Sequence, residues 1–140
     1  MNRPRWEHFA HASDIGVRGI GETKESAFEQ AALAAIAVMT DVAAVRADEE
    51  IRAACHAPDD ALLLVDWINA VVFAVATRKM LFGRFEVRLD GPRLRGKMWG
   101  EKIDIDRHQP CVEIKGATCT EARVFRDKRG AWIAQCVVDV

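Results

Sequence analysis

The sequence has 140 residues, of which 50% are hydrophobic and 29% are charged. This composition is typical of a globular protein, and the length is sufficient to bury one core. Twenty basic and twenty-one acidic side chains give a formal net charge of −1, so the overall charge offers no argument for nucleic-acid or membrane binding, although it leaves room for a local patch. We expect a single domain spanning residues 1–140.

The cysteines and the apolar segments point to a reducing compartment. Four cysteines are scattered along the chain without the close pairs that a structural zinc site uses. The opening MNRPRWEHFAH lacks the apolar core of a signal peptide. The stretch ALLLVDWINAVVFAVA is interrupted by Asp66 and Asn69 and looks too short to cross a bilayer. We therefore expect a cytoplasmic protein with reduced cysteines.

The first half of the chain predicts the order strand, helix, strand, helix. Residues 15–20 alternate as a strand does, and Thr23 is placed to cap an alanine-rich amphipathic helix that ends near Asp41. EEIRAACHA predicts a second strand. Asp59 then caps a helix of roughly residues 60–78, which is apolar around most of its circumference and should be the most buried element.

The second half predicts strands alone. About five strands follow Leu81, among them FEVRLDG, CVEIKGATC and a hairpin around DKRG. Strands gathered after helices indicate an α+β fold. We expect a single two-layer domain in which a mostly antiparallel sheet has two helices packed on one face.

The stretch HFAHASDIG contains the first candidate site. Imidazoles next to a carboxylate can hold a transition metal, but on a strand His8 and His11 would point to opposite faces. The alternative is that the histidines form loop hydrogen bonds and that Asp14 satisfies backbone amides in a turn. Adjacent Cys55 and His56 also point to opposite faces on a strand, which argues against a catalytic pair.

The last ten residues, AWIAQCVVDV, form a second candidate site. They alternate as a strand and remain apolar to the final residue, so we expect this strand to be docked. Docking would hold the Asp139 carboxylate close to the α-carboxylate of Val140, with no cation adjacent in sequence. If Asp14 came alongside, a bound hard cation or a lysine would relieve the repulsion.

Two further charged segments have ordinary explanations. WGEKIDIDRH lacks the ligand spacing of an EF-hand, and we expect a solvated, charged connection between strands. Lys115 alternates with the apolar Ile114 and should point away from the core into water.

Taken together, these segments resemble one family, archease. The matching residues keep the family's order and spacing over nearly the whole chain. Its H-x-x-D-I-G element and its C-terminal aspartate are the most specific matches. The matching segments are EHFAHASDIGVRGIG, KESAFEQAALAAIAVMTD, LLLVDWINAVVFAVATRKMLF, FEVRL, GEKIDIDRH, EIKGAT and WIAQCVVDV.

The resemblance implies a small cytoplasmic accessory protein with no catalytic residues. The implied partner is the RtcB-type RNA ligase, which joins RNA 2′,3′-cyclic phosphate or 3′-phosphate ends to 5′-hydroxyl ends. The accessory protein promotes guanylylation of that ligase and its repeated turnover in tRNA splicing and RNA repair. RNA is then reached only through the ligase, and no membrane partner is implied.

The resemblance also implies a metal site. The family's ligands fall on Asp14 and Asp139, with the Val140 carboxylate placed to help, and calcium is the typical occupant. His8 and His11 would lie behind these ligands in a supporting or structural role. The family's lysine falls on Lys115, a candidate contact with the ligase.

The chain departs from the family pattern at one place that bears on partner binding. Where the family commonly has Thr-Tyr-His, this chain has Thr118, Cys119 and Thr120, and it has no tyrosine at all. The contact made there must therefore differ.

Two other functions remain open from the residues. One is a metal-dependent hydrolase that uses His8, His11 and Asp14. The other is a general RNA-binding or chaperone-like module, against which the balanced charge argues.

Overall fold

The α+β class expected from the sequence is confirmed. The computed structural model describes residues 3–140, so Met1 and Asn2 of the expected domain lie outside the described residues. The elements, in chain order, are β1 (Arg5–His11), β2 (Asp14–Gly21), α1 (Lys24–Met39), a 3-10 turn (Val42–Ala44), β3 (Glu49–His56), α2 (Asp60–Arg78), β4 (Met80–Asp90), β5 (Arg93–Lys102), α3 (Ile105–His108), β6 (Gly116–Arg126) and β7 (Trp132–Asp139).

The strands form two antiparallel sheets. The larger sheet has the order β1-β2-β7-β6, and the smaller has the order β3-β5-β4. α1 packs on β2 of the larger sheet and on β4 of the smaller, and α2 packs mainly on β6 and β3. The antiparallel pairing is as expected, but the strands are divided between two sheets. Both helices are therefore buried on more than one side, and for α2 this explains why its apolar surface extends around most of the helix.

Two elements differ from the sequence expectation. β1 was not predicted as a strand, because it is an edge strand whose side chains are largely exposed on both faces and carry no alternating apolar signal. After α2 there are four strands rather than about five, because residues 103–115 contain only the short helix α3 among the described elements.

α1 begins where the sequence predicts and ends two residues before the expected Asp41. The Thr23 hydroxyl accepts a hydrogen bond from the Ser26 N–H at 3.0 Å, and the helix ends at Met39. A Cβ atom added at Gly19 of β2 would collide with the Ala27 carbonyl oxygen. Glycine at this position therefore lets the helix lie directly on β2, the strand that Asp14 opens.

α2 forms the centre of the core, as expected. The Asp59 carboxylate accepts a hydrogen bond from the Leu62 N–H at 2.9 Å and so caps the helix. Trp67 is fully buried and donates from Nε1 to the Phe28 carbonyl of α1 at 3.1 Å. The indole thus links the two long helices.

The length of α2 corrects one expectation. By length and composition, the 19 residues are long and apolar enough to cross a membrane, so the expectation that this segment is too short was wrong. Half of the apolar stretch is buried inside the domain, which is the setting of a core helix.

β7 lies in the middle of the larger sheet. It pairs with β2 on one side and with β6 on the other. Cys136 and Val138 are 0% exposed, whereas Asp139 is exposed. The expected docking of this strand is confirmed, and its position brings the end of β7 to the beginning of β2.

Candidate functional site

The beginning of β2 and the end of β7 meet at one corner of the larger sheet. Ile15 lies opposite Val138 in antiparallel register, so Asp14 comes beside Asp139. The Val140 N–H lies 3.5 Å from Asp14 Oδ1, which is a long and weak hydrogen bond. We call Asp14, Asp139 and Val140 the acidic corner.

The acidic corner faces away from the helices. Residues directly opposite each other in an antiparallel pair share a face, and successive residues alternate between faces. Val138 and its partner Ile15 belong to the core cluster, whereas Val137 does not, so Asp14 and Asp139 project to the outer face. Asp14 is half-buried and Asp139 is exposed. A ligand or partner can therefore reach this face from solvent.

The donors at this corner have the chemistry that a hard cation prefers. Asp14 and Asp139 offer carboxylate oxygens, and Ca²⁺ takes about six to eight oxygen ligands. Within residues 3–140, no three His, Cys, Asp or Glu side chains come close enough together to hold a metal ion. A cation at the corner therefore needs oxygens beyond the two aspartate side chains.

His8 and His11 lie on opposite faces of β1. His8 donates from Nε2 to the Ala34 carbonyl of α1 at 2.8 Å, which ties the edge strand to the helix. His11 pairs with Asp14 across the β1–β2 hairpin. The chain turns only after His11, where Ala12 has a φ of 52°. A hydrolase site that requires both imidazoles at one ion is not supported by this geometry.

Lys115 lies next to the acidic corner along the backbone. Its N–H donates to the Asp139 carbonyl at 2.8 Å. The Lys115 side chain is exposed, as expected, and lines an open groove of about 680 Å³ that also includes His56, Asp66 and Glu113. The residue thus presents a cation beside the end of β7 without being buried.

Asn69 fixes the segment that follows Lys115. Its Oδ1 accepts a hydrogen bond from the Ala117 N–H at 2.8 Å, and its Nδ2 donates to the Ala117 carbonyl at 3.3 Å. One amide side chain of α2 therefore satisfies both backbone groups at the start of β6. Sequence reasoning treated Asn69 only as an interruption of an apolar stretch, although a polar residue inside a buried helix signals such a partner.

The segment between β5 and β6 is held by a partly buried polar network. His108 is 3% exposed, accepts the Asp104 N–H at Nδ1 over 2.8 Å and donates from Nε2 to Glu101 over 3.0 Å. Arg107 pairs with the same carboxylate, which also accepts the Arg46 N–H at 2.7 Å. The expectation of a solvated connection was wrong for His108, which is buried, and is confirmed for Asp104, Asp106 and Arg107, which are exposed. The contact with Arg46 comes from a distant part of the chain, whereas the other partners lie within residues 101–108.

These contacts keep Glu101 ionised. Chiefly the Arg107 guanidinium, together with the Arg46 N–H and His108, lowers the pKa of Glu101 to about 2 against the opposing effect of burial. The network anchors the segment that leads to Lys115.

The same segment is also tied to the end of α1. The Thr40 hydroxyl donates to the His108 carbonyl at 2.6 Å, and the Cys111 N–H donates to the Met39 carbonyl at 3.0 Å. One side-chain and one backbone contact thus hold His108 and Cys111 at the end of α1, on the path towards Lys115.

The more buried cysteines are poorly suited to nucleophilic chemistry. Burial raises the pKa of the Cys55 thiol to about 11, with a smaller contribution from Asp66, and burial raises that of Cys136 to about 12. Both thiols are therefore protonated at neutral pH, whereas the reactive form is the thiolate.

Known proteins with this sequence pattern and fold can be compared with the chain. The model of the Archease protein family matches residues 6–140. Protein archease of Pyrococcus furiosus is 36% identical over 140 residues, covering 97% of this chain and 99% of the relative. Protein archease of Methanothermobacter thermautotrophicus is 34% identical over 139 residues, covering 96% and 98%.

Two solved structures share the fold. The solution structure of Methanobacterium thermoautotrophicum protein 1598 matches with a TM-score of 0.83 at 34% identity, covering 96% of this chain and 98% of that one. The crystal structure of an archease from Thermotoga maritima, described as a possible chaperone, matches with a TM-score of 0.58 at 16% identity, covering 96% of both chains. The second likeness supports the fold alone. From the family match and the full-length relatives, the chain belongs to the Archease protein family.

Proposed function

We propose that this protein is a non-catalytic accessory protein that activates an RtcB-type RNA ligase. Membership of the Archease family over residues 6–140 carries the proposal. In this role the protein promotes guanylylation and repeated turnover of the ligase, within the cytoplasm.

The arrangement of the ionisable side chains favours an accessory role over hydrolysis. His8 is engaged by the Ala34 carbonyl, and His11 lies on the other face of β1. The Cys55 thiol, with a pKa of about 11, offers no thiolate at neutral pH. The acidic corner, in contrast, is open to solvent and suits docking.

We place a divalent cation, calcium, at the acidic corner. Asp14 and Asp139 would hold it through their carboxylates, and Val140, the last residue of the sequence, would add its carboxylate. When bound, the ion supplies positive charge that offsets the repulsion among these groups. These three residues cannot readily fill six to eight positions, so we expect weak binding by the protein alone and tighter binding when the ligase adds oxygens.

Lys115 is the proposed contact with the ligase beside this corner. Its ammonium is exposed, while its backbone is fixed by the Asp139 carbonyl. The contact is therefore presented at a defined place on the surface. Cys119 and Thr120 are exposed close by in β6, so the aromatic contact common in the family must be replaced here by smaller side chains.

The test is ligation by the cognate RtcB-type ligase with the ligase limiting and RNA in excess. The samples are the ligase with no addition, with the wild type, with Asp14→Asn and with Glu22→Gln. The Asn variant keeps an oxygen acceptor for the Val140 N–H but loses the charge. Glu22 is exposed beyond the other end of β2 and serves as the matched control.

The proposal expects many turnovers with the wild type and Glu22→Gln, and few with Asp14→Asn. Equal rates in all four samples would overturn the accessory role. Stimulation that is unaffected by Asp14→Asn would keep that role and remove the acidic corner from it.

A C-terminal extension tests the contribution of Val140. A short tag appended after Val140 should weaken stimulation, whereas the same tag before Met1 should be tolerated. Equal stimulation by both forms would exclude the Val140 carboxylate from the proposed site.

A further inference from the structure

We propose that the outer face of the smaller sheet binds the phosphate backbone of single-stranded RNA. Arg93, Arg95 and Lys97 lie at alternate positions of β5, the middle strand. We call these three residues the basic ladder. The proposal goes beyond ligase activation, since it assigns the chain a direct contact with RNA.

The register of the sheet places two cations and two carboxylates directly beside the basic ladder. Lys97 lies between Arg52 of β3 and Glu86 of β4, whereas Arg88 lies opposite Arg95 and Asp90 opposite Arg93. Directly opposite residues share a face. Arg52, Arg88, Arg93 and Arg95 are exposed. The intervening residues of β5, such as Leu94 and Met98, are buried, so the cations project outward while the other face packs in the core.

Carboxylates on this face do not balance the cations. The outward positions carry six cationic side chains and four carboxylates, of which Glu101 is engaged by Arg107. Glu50 pairs with Arg52 at 2.8 Å and Glu86 with Arg88 at 3.5 Å. The basic ladder enters none of the ion pairs found among residues 3–140. The six cations are Arg52, Arg84, Arg88, Arg93, Arg95 and Lys97, and the carboxylates are Glu50, Glu86, Asp90 and Glu101.

The spacing of the basic ladder suits a chain of regularly repeated anions. Alternate residues of a strand are about 7 Å apart, because each residue rises by roughly 3.3 Å. That separation is of the same order as the distance between successive phosphates of an extended nucleic-acid strand. Ala54 lies opposite Arg95, and its small side chain contributes to an open trough of about 520 Å³ beside Arg52, Arg88 and Lys97.

The trough and the ladder together match single-stranded nucleic acid. Grooves that bind single strands without sequence preference use rows of cations to track the backbone. An acidic protein or an anionic membrane would also be attracted to positive charge, but neither requires evenly spaced contacts along one strand. The choice of RNA over DNA rests on the proposed function, because an activator of an RNA ligase works beside RNA.

The formal net charge of −1 for the whole chain does not reveal the positive outer face of the smaller sheet. The acidic groups that balance it lie elsewhere, including Asp14 and Asp139 on the larger sheet. The expectation that RNA is reached only through the ligase followed from the family resemblance. The balanced charge argued against a general RNA-binding module, but net charge does not report where charges lie.

The test measures binding of a fluorescent single-stranded oligouridylate of about 12 nucleotides by anisotropy, without the ligase. The variants are Arg95→Gln with Lys97→Gln, and a control with Lys128→Gln and Arg129→Gln. The control removes the same charge from exposed positions in the turn between β6 and β7. Thermal melting of every variant checks that the fold is retained.

The proposal expects the ladder variant to bind about tenfold more weakly at roughly 50 mM salt, and the control to stay within about twofold of the wild type. Between about 50 and 200 mM salt, loss of two phosphate contacts should reduce the slope of log affinity against log salt by about 1.4. Equal weakening in both variants, no weakening in either, or no binding by the folded wild type would overturn the proposal.

Competition separates RNA from other polyanions. Unlabelled oligouridylate should displace the probe well below the concentration at which polyglutamate of equal charge or anionic vesicles do so. Equal displacement by either would overturn the assignment to RNA. Because the ligase is absent, a negative result here leaves ligase activation unaffected, and failure of activation leaves this binding result intact.

Discussion

The acidic corner and the basic ladder lie on different sheets and are built in different ways. The acidic corner joins residues from the two ends of the chain, since Ile15 pairs with Val138. The basic ladder lies within one strand, flanked by β3 and β4. A near-neutral protein therefore carries two surfaces of opposite charge. The net charge therefore describes neither surface, and the acidic corner and the basic ladder need separate binding measurements.

The largest expected effect is that Asp14→Asn loses stimulation of the ligase and keeps binding of RNA. Asp14→Asn should lower multiple-turnover ligation by about tenfold or more, as loss of groups at a metal site commonly does. It should leave binding of oligouridylate by the protein alone within about twofold. Parallel ligation and anisotropy assays measure both. If Asp14→Asn weakened RNA binding as much as the ladder variant does, the two surfaces would not be independent.

Calcium should stabilise the protein by binding at the acidic corner and not at the basic ladder. A ligand that binds the folded state alone at 100 times its Kd stabilises it by about 2.7 kcal/mol. The melting temperature of the wild type and of the ladder variant should therefore rise with calcium. Asp14→Asn should lose most of this rise and Glu22→Gln should keep it. An undiminished rise in Asp14→Asn would place the calcium elsewhere.

Asn69→Ala should destabilise the neighbourhood of the acidic corner. The substitution leaves the Ala117 N–H and carbonyl without their partner, and loss of such a partner costs about 1–3 kcal/mol. Asn69→Asp keeps the acceptor for the Ala117 N–H and should cost less. Chemical denaturation measures both variants. Equal stability of the alanine variant and the wild type would show that Asn69 does not hold the start of β6.

The smallest expected effect concerns acid stability. The pKa of Glu101 lies at about 2, below its ordinary value of 4.5. The ionised carboxylate therefore stabilises the fold above pH 4.5, and that contribution is lost as the pH falls from 4.5 through 2. Glu101→Gln should be less stable than the wild type at pH 7, with a difference that shrinks in acid. Urea midpoints across this range provide the measurement, and a difference independent of pH would contradict it.

The sequence predicted local features well. Thr23 and Asp59 cap their helices as expected, because capping depends on residues within one turn. The opposite directions of His8 and His11 also followed from the two-residue period of a strand, although β1 itself was not predicted. Its exposed faces carry no apolar alternation.

Features that depend on long-range partners could not be read from spacing alone. The division into two sheets depends on which strands pair, and the burial of His108 depends in part on the contact with Thr40. The pairing of Asp14 with Asp139 was implied by family resemblance and by charge. The basic ladder is visible as RLRGK in the sequence, but only the register shows that Arg52 and Arg88 flank it.

The pairing of β2 with β7 also has a kinetic consequence. These strands are separated by most of the chain, whereas β4 and β5 are joined by a short turn. Non-local pairing is slow, because the chain loses the entropy of closing a long loop before the stabilising contacts form. We expect pulsed hydrogen exchange during refolding to protect β4 and β5 amides before those of β2 and β7; simultaneous protection would contradict this order. The basic ladder would then form early, while the acidic corner would be among the last parts of the molecule to assemble.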